Sequence, residues 1–465
     1  YLDVDTKKFK ERALMAAISH AKDEMMSPEQ FERENQVDYG KRTIAKVYKE
    51  YQSRLKKNNA LDFDDLINKT VELLRTNEDV LHYYQNRFKY IMVDEYQDTN
   101  TAQFELISTL ASTVNEEGEM EHNLCVVGDD DQSIYKFRGA NIYNILNFEK
   151  QYPDTKIIKL EQNYRSTKNI LAAANEVIAH NTERKSKALW TEQEEGDPIY
   201  WQIFDTDRDE AESIAVDIAN AVKNDDKMYS DFAVLYRTNA QSRILEERLV
   251  NLGVPYKIVG GVNFYQRKEI KDLLCYLKTI DNGNDDISVK RIINVPKRGI
   301  GLTSVDKVQV HAIGKGISFY QALTEAEYIP TLGRAASKIS PFVSMIEILK
   351  GKLHNPDYSL LDLFDEIIEA TGYVDELRED GTIESQTRIE NIQELRNKIA
   401  SYLDSTDEPS LSNFLEEVSL VADIDTVTDD TNVVILMTIH SAKGLEFPYV
   451  YMCGMEDGIF PSYMT

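Results

Sequence analysis

Short apolar runs constrain the fold of this chain more than any other feature. Tyr90 to Val93 ends on Asp94, and Leu124 to Val127 ends on Gly128 and Asp129; Ile157 to Leu160, Phe232 to Tyr236, Val433 to Met437 and Tyr449 to Met452 follow the same form. Each spans four or five residues, with stretches of helical periodicity between them. Runs this short and this uniformly apolar suit strands buried on both faces of a parallel sheet, because helices cover both sides of such a sheet. The pattern predicts an α/β fold. Ligands of open α/β sheets sit at the carboxyl ends of the strands, which makes the residues just after each run the ones to read for chemistry.

The remaining stretches are helical in pattern. Phe9 to Ala21 is amphipathic, Ser27-Pro28-Glu29-Gln30 reads as a helix start with proline at the first position, and Val37 to Leu55 is a long periodic stretch. Across residues 266–428 the strand runs stop. Leu360 to Glu369 and Ile383 to Tyr402 carry helical periodicity there, while Asp281-Asn282-Gly283-Asn284 and Asp425 to Asn432 read as loops. Strands resume afterwards, so this segment reads as a helical insertion interrupting an α/β domain. The patch Asp205-Thr206-Asp207-Arg208-Asp209 has the acidity of a calcium loop, but such a loop requires glycine at its sixth position and Glu210 stands there. A solvated charged face is the expected reading.

Composition narrows the function classes. At roughly 100–200 residues per domain, 465 residues predict about three domains. An apolar share of 42 % and a charged share of 29 % are those of a globular protein. No run approaches the ~18 apolar residues of a membrane span. Three cysteines without a C-x-x-C pair and seven scattered histidines argue against a disulfide framework and a histidine-built metal site, and for a reducing cytoplasm. Acidic residues outnumber basic ones 80 to 53, leaving a net charge of −27, which repels a polyanion at long range. Nucleic-acid binding would then have to run through local contacts, namely short basic hairpins and aromatic stacking. The chain opens on Tyr1 rather than methionine, with no signal peptide, and is expected to be a piece of a longer polypeptide.

Four segments that follow strand runs carry the chemistry. The first is Val93-Asp94-Glu95-Tyr96-Gln97-Asp98-Thr99-Asn100. An Asp at the lip of an apolar strand can hold a magnesium ion through its water shell beside a triphosphate, and the Glu after it can orient or deprotonate the attacking water. A bare Asp-Glu pair would equally serve to cap the next helix. The second runs from Val127 to Ala140 and offers an amide, Gln132, able to sense a terminal phosphate. Its Tyr135 and Phe137, interleaved with Lys136 and Arg138, suit base stacking with local phosphate contact; an aromatic pair without charged neighbours would be core. The third, Glu161-Gln162-Asn163-Tyr164-Arg165-Ser166-Thr167, carries an arginine that can act as a finger on a γ-phosphate or form a surface salt bridge. The fourth runs from Leu436 to Phe447; Gly444 allows close backbone approach to a ligand, and His440 is open to a structural or a functional role. Separately, Asn294-Val295-Pro296-Lys297-Arg298-Gly299-Ile300-Gly301 reads as a Gly-x-Gly hairpin leading into a capped helix. Such a hairpin presents backbone N–H groups to an anion, with Lys297 and Arg298 adding charge, or it is a turn between two core helices.

In this order the four segments resemble the motifs of the superfamily 1 DNA helicases of the UvrD/Rep/PcrA type, with the PcrA branch of low-GC Gram-positive bacteria nearest. The resemblance runs over essentially the whole chain and takes in Leu61-Asp62-Phe63-Asp64-Asp65-Leu66, Leu235 to Arg243 and Phe264 to Asp272. It implies two RecA-like parallel-sheet motor domains, both incomplete here, with helical insertions and ATP in the cleft between them. By that resemblance residues 1–60 are the remainder of helical insertion 1B, 61–154 the remainder of domain 1A, 155–265 the first part of domain 2A, 266–428 helical insertion 2B, and 429–465 the second part of 2A. ATP and Mg2+ are the implied cofactors. Asp94 stands where the family holds magnesium, through water, and Glu95 where it has its catalytic base. Gln132 would couple the γ-phosphate to DNA, Tyr164 would stack on adenine, Arg165 would contact the γ-phosphate, and Glu446 would contact the ribose, with Gly444 beside it. Tyr135 and Phe137 would stack on bases of single-stranded DNA, with Arg138 and His440 among the DNA contacts. Lys297, Arg298, Gly299 and Gly301 would belong to a helix-hairpin-helix element gripping duplex phosphates. The family usually carries tryptophan where Phe137 stands, so a smaller ring without an indole N–H does the stacking here.

The function implied is that of an ATP-dependent 3′-to-5′ DNA helicase and translocase in replication and repair. It would work in the cytoplasm on single-stranded DNA and duplex junctions, away from any membrane, with RNA polymerase or repair proteins as candidate partners. No G-x-x-x-x-G-K-[ST] occurs, and Gly314-Lys315 lacks the upstream glycine. The family carries that loop ahead of the point where this chain begins, so the chain alone is expected to be inactive. The alternatives on the same residues are a non-motor DNA-binding or polymerase-docking module of this fold, and the helicase subunit of a recombination nuclease.

Overall fold

A computed structural model describes residues 2, 4, 5, 8–114, 120–182, 184, 185, 187–355, 357–424 and 431–462. The chain divides into two compact units, residues 1–201 and 202–465.

The first unit begins with helices α1 (Glu11–Asp23), α2 (Pro28–Glu34), α3 (Tyr39–Lys57) and α4 (Phe63–Thr76). Their starts follow from the residues before them. Ser27 Oγ accepts the Gln30 backbone N–H at 3.2 Å while Gln30 Oε1 accepts the Ser27 N–H at 3.0 Å, with Pro28 at the first helical position. Asp38 and Asp62 likewise cap α3 and α4, accepting from the N–H groups of Lys41 and Asp65. Ile18, Ala21 and Tyr48 close a small core between α1 and α3. Beside it Lys22, 1 % exposed, reaches Asp62 at 2.6 Å and Asp65 at 3.0 Å, joining α1 to the start of α4. One buried cation answers two carboxylates, and Asp65 is itself only 2 % exposed.

Helix α5 (Glu78–Arg87) leads into β1 (Ile91–Val93), and α6 (Thr101–Ala111) follows it under an Asn100–Gln103 capping box. Strands β2 (Ser112–Val114) and β3 (Met120–His122) form a small antiparallel ladder. The next strand, β4 (Leu124–Val126), returns parallel to β1 with Ile91 opposite Leu124 and Val93 opposite Val126. Tyr96 packs its ring edge against Phe148 at 5.5 Å, under the ends of the two strands. Helix α7 (Lys168–Ile178) comes later in the same unit.

The expected strand Ile157 to Leu160 does not form. That run has no regular secondary structure and lies outside any sheet, with Ile158 70 % and Leu160 79 % exposed. Apolar composition favours a strand only where a neighbouring edge can pair with it. Beside this run, among the described residues, ladder pairing is limited to a bridge between Gln162 and Trp190.

In the second unit β5 (Phe232–Tyr236), β6 (Tyr256–Val259), β7 (Val434–Thr438) and β8 (Tyr449–Met452) lie in the order β6-β7-β5-β8, every pair parallel. Helices α8 (Asp207–Asn224) and α9 (Ser242–Asn251) bury Ile214, Ile218, Leu245 and Leu249 against Val234, Tyr236 and Leu436. The acidic patch at residues 205–209 starts α8: Thr206 Oγ1 accepts the Asp209 N–H at 3.1 Å, and Asp207 and Asp209 occupy the first turn, where the positive end of the helix dipole favours them.

Between β6 and β7 the chain builds a helical body running from α10 (Lys268–Asp281) through α11 (Asp286–Ile292) to a last helix at Leu411–Ile424. Its core joins Leu273 and Leu277 of α10 with Phe342, Phe364, Leu395 and Phe414. The loop expected at Asp281 to Asn284 separates α10 from α11; of the one expected at Asp425 to Asn432, residues 425–430 lie outside the described residues. A buried ionic cluster ties α9 to this body. Arg243, 4 % exposed, pairs with Glu247 and Glu394, and Lys398 pairs with Glu247 and Glu417. Burial opposes the charge on Glu247, but Arg243 and Lys398 outweigh it and hold its carboxyl below the ordinary range. Among the described residues no helix is long and apolar enough to cross a membrane.

Because Lys22 is the shared partner of two carboxylates, Lys22→Met leaves Asp65 buried without a counter-charge, with the Gln52 amide as its remaining side-chain donor among the described residues. The expected loss of stability is about 3–5 kcal/mol, read by urea denaturation. An unchanged midpoint would mean that Asp62 and Asp65 do not depend on Lys22.

Candidate functional site

The strand end of β1 places Asp94 and Glu95 at the surface. Asp94 Oδ1 accepts the Glu95 N–H at 2.9 Å, and Glu95 takes φ = 50° and ψ = 40°. A left-handed backbone costs a non-glycine residue roughly 1–2 kcal/mol, so the surrounding contacts must hold it. They come from Gln97, fully buried in the next turn. Its Nε2 donates to Glu95 Oε2 at 2.6 Å, its Oε1 accepts the Asp129 N–H at 2.9 Å, and its carbonyl accepts from Ser133 Oγ at 3.2 Å. One amide therefore joins the acid after β1 to the loop after β4. Gly128 makes room for it, since a Cβ there would lie 2.6 Å from Gln97 Oε1 and 2.8 Å from Ile145 Cδ1.

Past Gly128 the chain makes a tight turn capped by Asp129, whose Oδ1 accepts the Asp131 N–H at 3.0 Å. Gln132 is exposed and donates from Nε2 to Asp129 Oδ2 at 2.8 Å. Tyr135 and Phe137 follow with ring centroids 6.0 Å apart and planes at 61°; Phe137 is 52 % exposed and outside the core. Arg138 lies in the same turn, which Gly139 ends at φ = 86°. A Cβ on Gly139 would stand 2.8 Å from Asp23 Oδ2, and Asp23 Oδ1 accepts from Asn100 Nδ2 at 2.7 Å. Burial, with Asp64 nearby, raises the Asp23 carboxyl to about 6. The end of α1 thus braces the aromatic turn.

Tyr164 and Arg165 stand exposed on a turn of their own. Asn163 Oδ1 organises that turn by accepting the N–H groups of Arg165 at 3.0 Å and Ser166 at 2.8 Å, and Asn163 N–H donates to the Trp190 carbonyl at 2.7 Å.

In the second unit the lips of β5 and β7 bring two residues together: His440 Nδ1 lies 3.4 Å from Arg237 Nη1. The turn after β7 is fixed by Thr438, whose Oγ1 accepts the Ser441 N–H at 3.2 Å. Gly444 takes φ = 83° with nothing within 4 Å of an added Cβ, so it serves backbone conformation and not space. Glu446 follows it, exposed.

The hairpin before α12 (Leu302–Lys315) divides its two cations. Arg298 turns inward. Its Nη1 donates to the carbonyls of Ile292, Ile293, Val295 and Pro296 at 3.0–3.3 Å, and its Nη2 donates to Tyr276 Oη at 2.6 Å. Its guanidinium also faces the ring of Phe342 at 5.2 Å. The expectation that Arg298 meets an outside phosphate gives way to a folding role, because buried carbonyls at a turn need donors. Lys297 is exposed, Gly299 is exposed with its carbonyl accepting from Lys338 Nζ at 3.0 Å, and Gly301 caps α12 without a side chain.

Two residues of this architecture escape sequence reading. Gln97 sits inside the first segment yet looks like any polar residue between two acids, and Arg237 follows a strand run without a companion in sequence. The signal for both is position at a strand lip, which needs the partner strand to interpret.

Two family profiles match the chain, the UvrD/REP helicase N-terminal domain over residues 1–153 and the UvrD-like helicase C-terminal domain over residues 158–465. Proteins named ATP-dependent DNA helicase PcrA from Staphylococcus epidermidis and Staphylococcus aureus are each 49 % identical to it over 462 residues, covering 99 % of this chain and 62 % of the relative. The chain thus spans 62 % of the length of the curated relatives it matches.

The division of labour in the hairpin is open to measurement. Hydrogen bonds to a charged donor contribute about 1.5–3 kcal/mol, so Arg298→Ala should cost roughly 2–3 kcal/mol, while Lys297→Ala should stay within about 0.5 kcal/mol of the parent. Calorimetric melting of both variants checks this; equal midpoints would return Arg298 to the surface.

Proposed function

For a chain that belongs to the UvrD-like helicase family, we propose an ATP-driven DNA motor that translocates 3′ to 5′ on single-stranded DNA and opens duplex junctions during replication and repair. The observation that carries this reading is the Gln97 link. A motor must tie the residue that activates water to the surface that grips its track. Here one buried amide binds both Glu95 and the backbone of the loop that bears Gln132, Tyr135 and Phe137.

In this reading Glu95, oriented through Oε2, takes the proton of the attacking water, and Gln132 senses the terminal phosphate. Asp94 fits a hydrated magnesium ion: it is an exposed strand-end carboxylate with Oδ1 engaged by a backbone N–H, and magnesium prefers to keep several waters. MgATP, when bound, supplies the phosphoryl group and neutralises its developing charge. The Tyr164 ring, 74 % exposed, suits stacking on adenine. Arg165 contacts the γ-phosphate, and Glu446, with Gly444 beside it, contacts the ribose. Tyr135 and Phe137 stack on bases, which is compatible with a net charge of −27 because stacking is local. Arg138 and His440 add DNA contacts. Lys297, with the backbone at Gly299 and Gly301, meets duplex phosphates. The motor works in the cytoplasm, with RNA polymerase or repair proteins as candidate partners. Since no phosphate-cradling G-x-x-x-x-G-K-[ST] is present in these 465 residues, the isolated chain is expected not to hydrolyse ATP.

The first test is the ATPase rate of the complete gene product with and without a single-stranded oligonucleotide, beside its Glu95→Gln variant. Stimulation by DNA that the variant loses while still binding nucleotide is expected. A flat rate indifferent to the variant would leave DNA or protein docking as the function. The second is Phe137→Ala, which should weaken single-strand affinity by roughly 1–3 kcal/mol in anisotropy titrations; unchanged affinity would remove Phe137 from the track.

A further inference from the structure

We propose that Lys187 is a positioning residue for Gln132, acting through the carboxylate of Asp129. The inference rests on the reading of Gln132 as the sensor of the terminal phosphate.

Three consecutive acids, Asp129, Asp130 and Asp131, follow β4, and adjacent like charges repel unless countered. The partners come from Arg184, Lys185 and Lys187. Arg184 forks onto Asp131, Nε to Oδ1 at 2.8 Å and Nη2 to Oδ2 at 2.6 Å, the bidentate geometry that fixes orientation as well as charge. The Lys185 N–H donates to Asp130 Oδ2 at 2.7 Å. Lys187 Nζ bonds Asp129 Oδ1 and lies 3.3 Å from Asp130 Oδ1 and 3.2 Å from Asp131 Oδ2. The cluster is shielded: Lys187 is 18 % and Asp130 7 % exposed. Burial works against the charge of Lys187, yet the carboxylates outweigh it and raise its pKa above the ordinary lysine value.

What gives this cluster a role beyond holding a loop is the way Asp129 is shared. Its Oδ1 takes Lys187, its Oδ2 takes the Gln132 amide at 2.8 Å, and its N–H is held by Gln97. With the cation gone, Asp129 keeps the Asp131 N–H on Oδ1 but loses the ammonium that counters its charge beside two other acids, and Gln132 is aimed by a less firmly held acceptor. Arg184 grips Asp131 and leaves the Gln132 acceptor untouched, which separates the two cations experimentally.

The test is DNA-stimulated ATPase of the complete gene product, with Glu95→Gln and Gln132→Ala as references. Lys187→Met, and Lys187→Gln as a polar neutral second variant, should lower kcat by about tenfold to a hundredfold at an ATP KM within about twofold of the parent. Lys187→Arg should recover most of the loss, Arg184→Met should keep kcat, and adding Lys187→Met to Gln132→Ala should cost nothing further. An unchanged kcat in Lys187→Met, a raised KM instead of a lowered kcat, or losses that simply multiply in the double variant would each overturn the proposal. Parental turnover in Gln132→Ala would instead bring down the reading of Gln132, and this inference with it.

Discussion

The buried side-chain amide of Gln97 is the contact on which the rest of the first unit's site depends. An amide taken out of water must engage both its NH2 end and its carbonyl end or lose about 1–3 kcal/mol for a group left bare. Gln97 meets that demand with the Glu95 carboxylate on one side and the Asp129 N–H on the other. The separation between a strand-end acid and the loop after the neighbouring strand is thereby set by two hydrogen bonds. Everything adjoining is shaped to keep them: the left-handed backbone of Glu95, the missing Cβ at Gly128 and the packing of Tyr96 on Phe148.

The second unit follows the same rule with different chemistry. Its parallel strands align the ends of β5 and β7 so that Arg237 and His440 meet, and a buried cluster of Arg243, Glu247, Glu394 and Lys398 fastens α9 to the helical body. Arg243 and Glu247 each meet two partners, so removing one member thins the compensation of a buried charge, a cost that weighs more than the net worth of any one pair.

Sequence reading reached the strands because uniform apolarity over four or five residues has few other uses, and β1, β4, β5, β7 and β8 formed where that signal lay. It reached the capped helix start at Ser27 for an equally local reason. It overreached at Ile157 to Leu160, where the composition is right but pairing is a property of two segments and not of one. It misjudged the direction of Arg298, since an arginine beside glycines looks solvent-facing until the carbonyls of Ile292, Ile293, Val295 and Pro296 are seen around it. Gln97 and Lys187 stayed invisible for a related reason: each reaches Asp129, a residue far away in sequence, and that contact leaves no mark on either local pattern.

The pairing of β6 with β7 has a topological consequence. Tyr256 lies opposite Val434 and Val259 opposite Met437, so the chain leaves the sheet at the carboxyl edge of one strand and re-enters at the amino edge of its neighbour, roughly 10 Å back along the strand direction. The helical body is therefore a crossover connection grown large, and not an appendage hung on a turn. Parallel neighbours cannot be joined by a tight hairpin and need a path of about a dozen residues or more. A descendant of this protein could replace the body with a single helix and keep its strand order; one that closed the gap with a short turn would have to reverse β7, and with it the direction in which Thr438, His440 and Gly444 are presented.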